Sequence, residues 1–309
     1  MTLQNAETDI STDTTTENPV NTYFGAPEGQ DARILAERAR EAAKKQEIIF
    51  HIALDDGRLD MLKDLLSFFA PDVQVIEFPA WDCLPYDRVS PSGDIVAKRV
   101  SALTDLIAWQ EDDKYFPRVF LTTVNAALQR VTPKSALDNA SFIACKGGTL
   151  NIDKLQEFFT HNGYIRTETV REAGEYAIRG GIIDVFPPSY DNPVRIDLFG
   201  DEIETIKDFD SDTQRTLNVR DDFILKPVTE FFLDNETISR FKQNYRETFG
   251  TVRDDDPLYS AINEGRRYNG MDHWLPFFFN DNLQTLFDYI PNHHIYMDAN
   301  VINAATERL

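Results

Sequence analysis

Charged and aromatic side chains alternate with aliphatic ones in the segment VRIDLFG, residues 194–200. In an extended strand Arg195, Asp197 and Phe199 point to one face, and the aliphatic residues between them point to the other. Arg179, in the nearby segment EYAIRG, also opposes the apolar side of its own strand. If both strands belong to one sheet, the two arginines lie beside the aromatic ring. That combination is typical of a protein-interaction hot spot.

Asp197 has a supporting role in this hypothesis, because a carboxylate can orient a guanidinium through two parallel hydrogen bonds. The alternative is that a loop covers Phe199 and that the arginines only form surface ion pairs. Strand alternation by itself favours neither interpretation over the other.

A phosphate-binding loop is another chemistry to consider in a chain of this kind. The best candidate is GAPEGQDA, residues 25–32, in which Gly25 and Gly29 could bring backbone N–H groups close to a phosphate. The lysine and the serine or threonine of such a loop are missing, and Glu28 and Asp31 would repel phosphate. The sequence therefore predicts a degenerate nucleotide site, no bound cofactor and no enzymatic activity for this chain.

The loop WDCLPYDRVSP, residues 81–91, places tryptophan, tyrosine, prolines and charges directly after a strand. We favour a rigid loop that covers the edge of the sheet. The alternative is a platform for a ligand or for DNA, on which Trp81 or Tyr86 would stack beside Arg88.

The composition predicts a soluble, acidic protein. Its 31 basic and 52 acidic residues give a formal net charge of −21, which disfavours autonomous binding to a phosphate backbone. No apolar run approaches the roughly 20 residues of a membrane span. The polar residues 1–24 resemble a disordered tail and not a secretory signal. Cys83 and Cys145 lie outside any Cys/His cluster, so we expect reduced thiols, no metal site and a cytoplasmic location.

Helix and strand patterns divide the rest of the chain into three parts. Residues 25–130 alternate strands with amphipathic helices, which predicts an α/β unit with a parallel sheet. Residues 131–208 contain short consecutive strands, Gly- and Pro-rich turns and a helix, which predicts a compact α+β domain. Residues 209–309 have a mixed pattern, and we expect them to pack back on the first unit.

Five stretches, in order from Gly25 to the C-terminal part, resemble bacterial transcription-repair coupling factors (Mfd). They are GAPEG, FPAWDCLPYDRVSPSGDIVAKR, TTVNAALQRV, the long segment EYAIRGGIIDVFPP…PVRIDLFGDEIETIKDFD…TQRT, and GMDHWLPFFF. The resemblance implies a degenerate RecA/P-loop-like parallel-sheet domain, similar to UvrB, with an inserted α+β (UvrB-interaction) domain. In this family that inserted domain docks on UvrA, the partner subunit in excision repair.

The resemblance also implies roles for particular residues. Arg179 matches a docking arginine of the family, Arg195 and Phe199 match the arginine and phenylalanine of the next docking strand, and Asp197 occupies its acidic position. A complete family protein also has an RNA-polymerase-binding domain and a motor that uses ATP and magnesium to translocate DNA. We therefore expect this chain to be a piece of a longer protein, which contacts RNA polymerase and DNA only through those other parts.

Two other functions stay open on the sequence alone. The chain could be a nucleotide-dependent DNA helicase or translocase in its own right, which would require ATP binding at residues 25–32. It could also be a structural arm that positions other domains or holds them inactive.

Overall fold

The computed structural model describes most of the chain after the N-terminal tail. The described residues are 27, 29–84, 88–111, 116–137, 140–188, 190–251, 256–279, 282–290 and 293–308. Within these ranges, no helix combines the length and the apolar character that crossing a bilayer demands.

The first unit has three layers, with helices on both faces of a parallel sheet. Its two central strands are buried along their whole length, as expected for parallel strands covered on both sides. This arrangement confirms the predicted α/β class. The elements are α1 (Gln30–Ala43), β1 (Ile48–Ala53), α2 (Asp56–Phe69), β2 (Gln74–Phe78), α3 (Gly93–Glu111), β3 (Arg118–Thr123), α4 (Val124–Ala127) and α5 (Lys134–Leu137).

The two faces of this sheet have separate cores. Alanines and leucines of α1 and α2 pack against Ile49 and Leu121 on one side. On the other side α3 packs against the stacked rings of Phe50 and Phe120, whose centroids are 5.3 Å apart. Successive side chains of β1 and β3 point alternately into these two cores, which holds the sheet in the middle of the unit.

An inserted unit follows, built on an antiparallel meander. Strands β6 to β10 are antiparallel neighbours, and β5 runs parallel to β6, so the sheet order is β10-β9-β8-β7-β6-β5. The elements of this unit are β4 (Phe142–Cys145), α6 (Ile152–His161), β5 (Ile165–Arg166), β6 (Glu175–Arg179), β7 (Ile182–Val185), β8 (Val194–Phe199), β9 (Glu202–Phe209), β10 (Thr216–Arg220) and β11 (Asp222–Leu225).

Strand pairing carries the inserted unit past residue 208, where the sequence analysis ends it. β11 pairs with β4 and contributes Phe223 and Leu225 to the core that also holds Phe159 of α6. A strand that returns to the first strand of its unit leaves no local signal in the sequence, because the pairing depends on a partner far away along the chain.

The C-terminal part contributes to two places. Helices α7 to α9 pack around Phe231, Phe241 and Phe278 in an aromatic cluster of their own, whereas β12 adds to the first sheet as a parallel neighbour of β1. The first sheet then has the order β12-β1-β3-β2. The elements are α7 (Asn235–Phe249), α8 (Pro257–Asn263), a 3₁₀ turn (Met271–Trp274), α9 (Leu275–Phe279), α10 (Leu286–Tyr289), β12 (His293–Met297) and α11 (Val301–Arg308).

A buried ion pair joins the first unit to the segment that returns from the inserted unit. Arg99 of α3 has no solvent exposure, and its guanidinium donates to Glu230 and to the carbonyl of Pro79. The Glu230 carboxylate also accepts a hydrogen bond from the Trp81 indole, and its backbone carbonyl accepts one from the Thr132 hydroxyl. The segment that leads into the inserted unit, at Thr132, and the segment that returns from it, at Glu230, are therefore hydrogen-bonded to each other.

Replacing Glu230 with alanine should destabilise the protein strongly, because it leaves the Arg99 guanidinium buried without its counter-charge. We expect the free energy of unfolding to fall by about 3–5 kcal/mol in urea denaturation. Glu37→Ala serves as the control, because it breaks an exposed ion pair with Arg33 and should change stability by less than about 0.5 kcal/mol. Equal effects of the two substitutions would contradict this role of the buried pair.

Candidate protein-docking surface

The strands of the inserted unit place one set of side chains on the face of the sheet opposite α6, which we call the outer face. The register pairs Arg179 with Ile182, Ile182 with Asp197 and Asp184 with Arg195. Because paired residues on neighbouring strands point to the same side, the predicted arginines share a face. The outer-face residues discussed below are Ala177, Arg179, Ile182, Asp184, Arg195, Asp197, Phe199, Thr205, Lys207, Phe209 and Val219.

The carboxylate of Asp184 holds both arginines. Arg195 donates to it from Nε at 2.6 Å and from Nη2 at 2.9 Å, and Arg179 donates from Nη2 at 2.6 Å. Asp184 itself has no solvent exposure. The arginines therefore converge on one buried negative charge, so the structure brings Arg179 and Arg195 together as the sequence predicts.

The sequence analysis missed Asp184 and assigned its role to Asp197. Asp197 in fact accepts hydrogen bonds from the Thr205 hydroxyl at 2.6 Å and from Lys207 Nζ at 2.8 Å, and no hydrogen bond joins it to a guanidinium. The reason is cross-strand register, which sets Asp184 and not Asp197 opposite Arg195. A signal was present, since Asp184 is an acidic residue within the aliphatic strand GIIDVF.

Arg195 is the more firmly held of the two arginines. Its guanidinium lies over the ring of Phe209 at 4.5 Å, and this ring is buried against Ala177 and Val170. The hydrogen bonds to Asp184, and the charge of that carboxylate, raise the pKa of Arg195. The Arg195 side chain is 22% exposed and that of Arg179 is 54% exposed. Arg195 is thus a fixed charge, and Arg179 extends further into solvent.

A second ion pair lies beside the first on the outer face. Burial would raise the pKa of Asp197, but the hydrogen bonds from Lys207 and Thr205 and the nearby positive charges outweigh it, so the pKa of this carboxyl is lowered. Arg179, Arg195 and Lys207 face Asp184 and Asp197 on this surface, and Glu202 lies at its edge opposite Phe199. The positive charges of the outer face are therefore matched by carboxylates, on a chain whose formal net charge is −21.

Phe199 projects from the end of β8 into solvent and is 80% exposed. On the β7 side its neighbour is the Gly180–Gly181 turn, which has no side chain that could cover the ring. A Cβ at Gly181 would lie 2.9 Å from the carbonyl oxygen of Leu198, so the close approach of the two strands requires glycine there. Ile182 and Val219 are also exposed on this face. The outer face thus combines exposed apolar side chains with oriented arginines.

The residues that the sequence analysis offers as a degenerate nucleotide site are described only in part. Gly25 is outside the described residues, and Gly29 directly precedes α1, the first described element. In α/β sheets phosphate binds where a strand leads into a helix, and the turn from β1 to α2 is one such place in this chain. Asp55 occupies the N-terminus of α2 by accepting a hydrogen bond from the Arg58 amide at 2.8 Å.

Negative charge at this turn opposes phosphate binding. Burial and the neighbouring carboxylates Asp60 and Asp55 raise the pKa of Asp56. Arg58, the nearest cation in the turn, is paired with Asp31 and Asp298. The turn therefore carries carboxylates and a neutralised arginine where a phosphate loop has free backbone N–H groups and a lysine.

The loop after β2 is pinned to the segment around the 3₁₀ turn. The Trp81 indole is hydrogen-bonded to Glu230, and its ring contacts His273 edge to face. The Ser90 hydroxyl accepts a hydrogen bond from the Gly270 amide, and Arg88 is exposed. These contacts support the interpretation as a rigid covering loop and leave Trp81 engaged internally. Tyr86 lies outside the described residues.

Metal ligands do not cluster in the described part of the chain, where no group of three His, Cys, Asp or Glu side chains could hold an ion. Cys83 Sγ lies 3.9 Å from His273 Nε2, and Cys145 is exposed on β4.

Comparison with known proteins defines the class first. Residues 144–231 match the UvrB interaction domain family, and this range coincides closely with the unit that β4 and β11 close. The chain thus contains a UvrB interaction domain, and the outer face belongs to it.

The relatives identify the wider family. The chain is 36% identical over 271 residues to the transcription-repair-coupling factor of Haemophilus influenzae, 35% over 257 residues to that of Escherichia coli and 34% over 252 residues to that of Myxococcus xanthus. These alignments cover 87%, 83% and 77% of this chain but only 23%, 22% and 20% of the relatives. The chain is therefore homologous to part of the transcription-repair-coupling factors, and the resemblance seen in the sequence is confirmed.

The exposure of Phe199 predicts that it contributes little to folding. Phe199→Ser should change the free energy of unfolding by less than about 0.5 kcal/mol, because the ring is already in water. Ile196→Ala, on the buried face of the same strand, should lower it by about 2–5 kcal/mol. Urea denaturation of both variants tests this, and a strongly destabilised serine variant would show that the ring is packed in solution.

Proposed function

We propose that this chain is the UvrA-docking module of a transcription-coupled nucleotide excision repair factor. The observation that carries the proposal is the outer face of the UvrB interaction domain, where Arg179 and Arg195 share the buried Asp184 carboxylate beside the exposed Phe199 ring. Interface hot spots are built from such side chains, because arginine and aromatic groups combine large contact area with directional hydrogen bonds.

The outer face also indicates the chemistry of the partner's surface. Arg179 keeps free donors on its exposed side, because its bond to Asp184 uses only one of the five N–H donors of the guanidinium. A carboxylate of the partner could complete this guanidinium, and an apolar pocket could take Phe199. We therefore propose that UvrA presents an acidic group next to a hydrophobic depression at the contact.

The activities of a complete coupling factor belong, in this proposal, to segments other than this chain. The matched relatives are more than four times as long as the aligned part. We assign ATP-driven translocation of DNA and contact with RNA polymerase to those additional parts, and recruitment of the repair machinery to the module described here. We expect the module to work in the cytoplasm, where stalled transcription occurs in bacteria.

Docking should depend on the arginines and the ring without depending on the fold. We expect Arg195→Ala and Phe199→Ala each to weaken binding to purified UvrA by about 2 kcal/mol or more, roughly 30-fold in Kd, as hot-spot truncations do. Isothermal titration calorimetry measures the change directly.

Arg220→Ala is the matched control for this experiment. Arg220 also pairs with a carboxylate, Asp208, and lies over an aromatic ring, Tyr190 at 4.4 Å, but its residue position is on the opposite face of the sheet. Its replacement should leave UvrA binding unchanged. A wild-type chain that fails to bind UvrA, yet binds the remaining part of a full-length coupling factor, would favour a structural arm instead.

The isolated chain should not bind ATP. The carboxylates of Asp55 and Asp56 at the turn from β1 to α2 repel the phosphates, and no lysine stands in this turn to attract them. Equilibrium dialysis with ATP and magnesium, run beside a P-loop ATPase as a positive control, should detect no binding at millimolar nucleotide. Saturable binding would instead support the nucleotide-dependent enzyme.

A further inference from the structure

Asp184 differs from the other charged residues of the outer face because it is fully buried. Its carboxylate accepts three hydrogen bonds, two from Arg195 and one from Arg179, and no part of it reaches solvent. It is therefore in no position to touch a docked partner. The residue nonetheless connects the two side chains that the proposed function places in the contact.

The surroundings of Asp184 explain why the carboxylate is tolerated there. A buried carboxylate is unfavourable unless charged donors satisfy it, and here two guanidinium groups do so. Its cross-strand neighbours are Ala177 on one side and Arg195 on the other. The small alanine side chain and the buried Phe209 ring leave the Arg195 guanidinium a fixed place between the carboxylate and the ring.

We propose that Asp184 is the positioning residue of the docking surface, which fixes Arg179 and Arg195 in their binding geometry before the partner arrives. The inference rests on the proposed function, because it concerns the same contact. Long arginine side chains lose conformational freedom when an interface immobilises them, and a site that is already ordered avoids much of that loss on binding. The buried Asp184 carboxylate holds the two arginine side chains in this ordered conformation.

The sign of the effect separates positioning from a simple charge effect. Removing the Asp184 carboxylate makes the outer face more positive, so attraction to an acidic partner would rise if only net charge mattered. If Asp184 positions the arginines, binding falls although the face has become more positive. The two explanations thus predict changes in opposite directions.

Asp184→Asn tests the inference, since the amide has the same shape and removes the charge. We expect its Kd for UvrA, measured by calorimetry at physiological salt, to increase about tenfold, the size typical of one lost charge-assisted hydrogen bond. Asp208→Asn is the matched control, because it removes a carboxylate from the Arg220 pair on the other face of the same sheet. The control should bind UvrA as the wild type does. Unchanged or tighter binding by Asp184→Asn overturns the positioning role.

A mutant cycle separates positioning from a general effect on the fold. If Asp184 acts through the two arginines, then Asp184→Asn adds little to the loss already caused by replacing both Arg179 and Arg195 with alanine. A further tenfold loss in that background would show that Asp184 acts independently of both arginines and would contradict the inference.

The wild-type protein gives a second test that needs no substitution at Asp184. In ¹⁵N relaxation measurements on the free chain, the Nε–H group of Arg195 should be as rigid as the backbone, whereas that of the 68% exposed Arg33 should be mobile. A mobile Arg195 would overturn pre-ordering even if the asparagine variant failed to fold. Failure of the wild type to bind UvrA would instead remove the proposed function, and with it the docking role of Asp184.

Discussion

The register between β7 and β8 is the constraint on which the docking surface depends. It sets Ile183 against Ile196 in the core and, in the same step, Asp184 against Arg195 on the outer face. Because side chains alternate with a period of two, a slip by one residue would exchange the two faces. The aliphatic core under α6 therefore specifies the position of the charges, although it does not touch them.

Two arginine–carboxylate ion pairs in the chain have different roles because their arginines differ in solvent exposure. Arg99 and Glu230 are both almost completely buried, and their partners lie on several segments, so the contact ties the units together. Asp184 is equally buried, but the Arg179 side chain that it binds is 54% exposed. The first arrangement keeps both charges inside the protein, whereas the second keeps a guanidinium edge available at the surface.

The sequence predicted the parts of this surface that follow from alternation within one strand. Arg195 and Phe199 lie four residues apart on one strand. Their position on a common face could therefore be predicted without knowledge of the fold. The partner of Arg195 could be found only from the pairing of two strands, and for this reason the sequence analysis assigned that role to Asp197 and missed Asp184. At Trp81 the sequence favoured a rigid covering loop over an open platform, and in the structure the indole is hydrogen-bonded to the distant Glu230.

The charge of the whole chain and the charge of the outer face act over different distances. At physiological ionic strength the Debye length is about 8 Å, so most of the 21 excess negative charges are screened from a partner held against the outer face. Contact is then governed by the local arginines and by the 80% exposed Phe199 ring, whose burial does not depend on salt in the way that ion pairs do. The acidity elsewhere still repels nucleic acid on average. A small face of fixed arginines and an exposed aromatic ring on an acidic body therefore favours a protein partner over DNA, and this selectivity comes from where the arginines are fixed and not from an excess of positive charge.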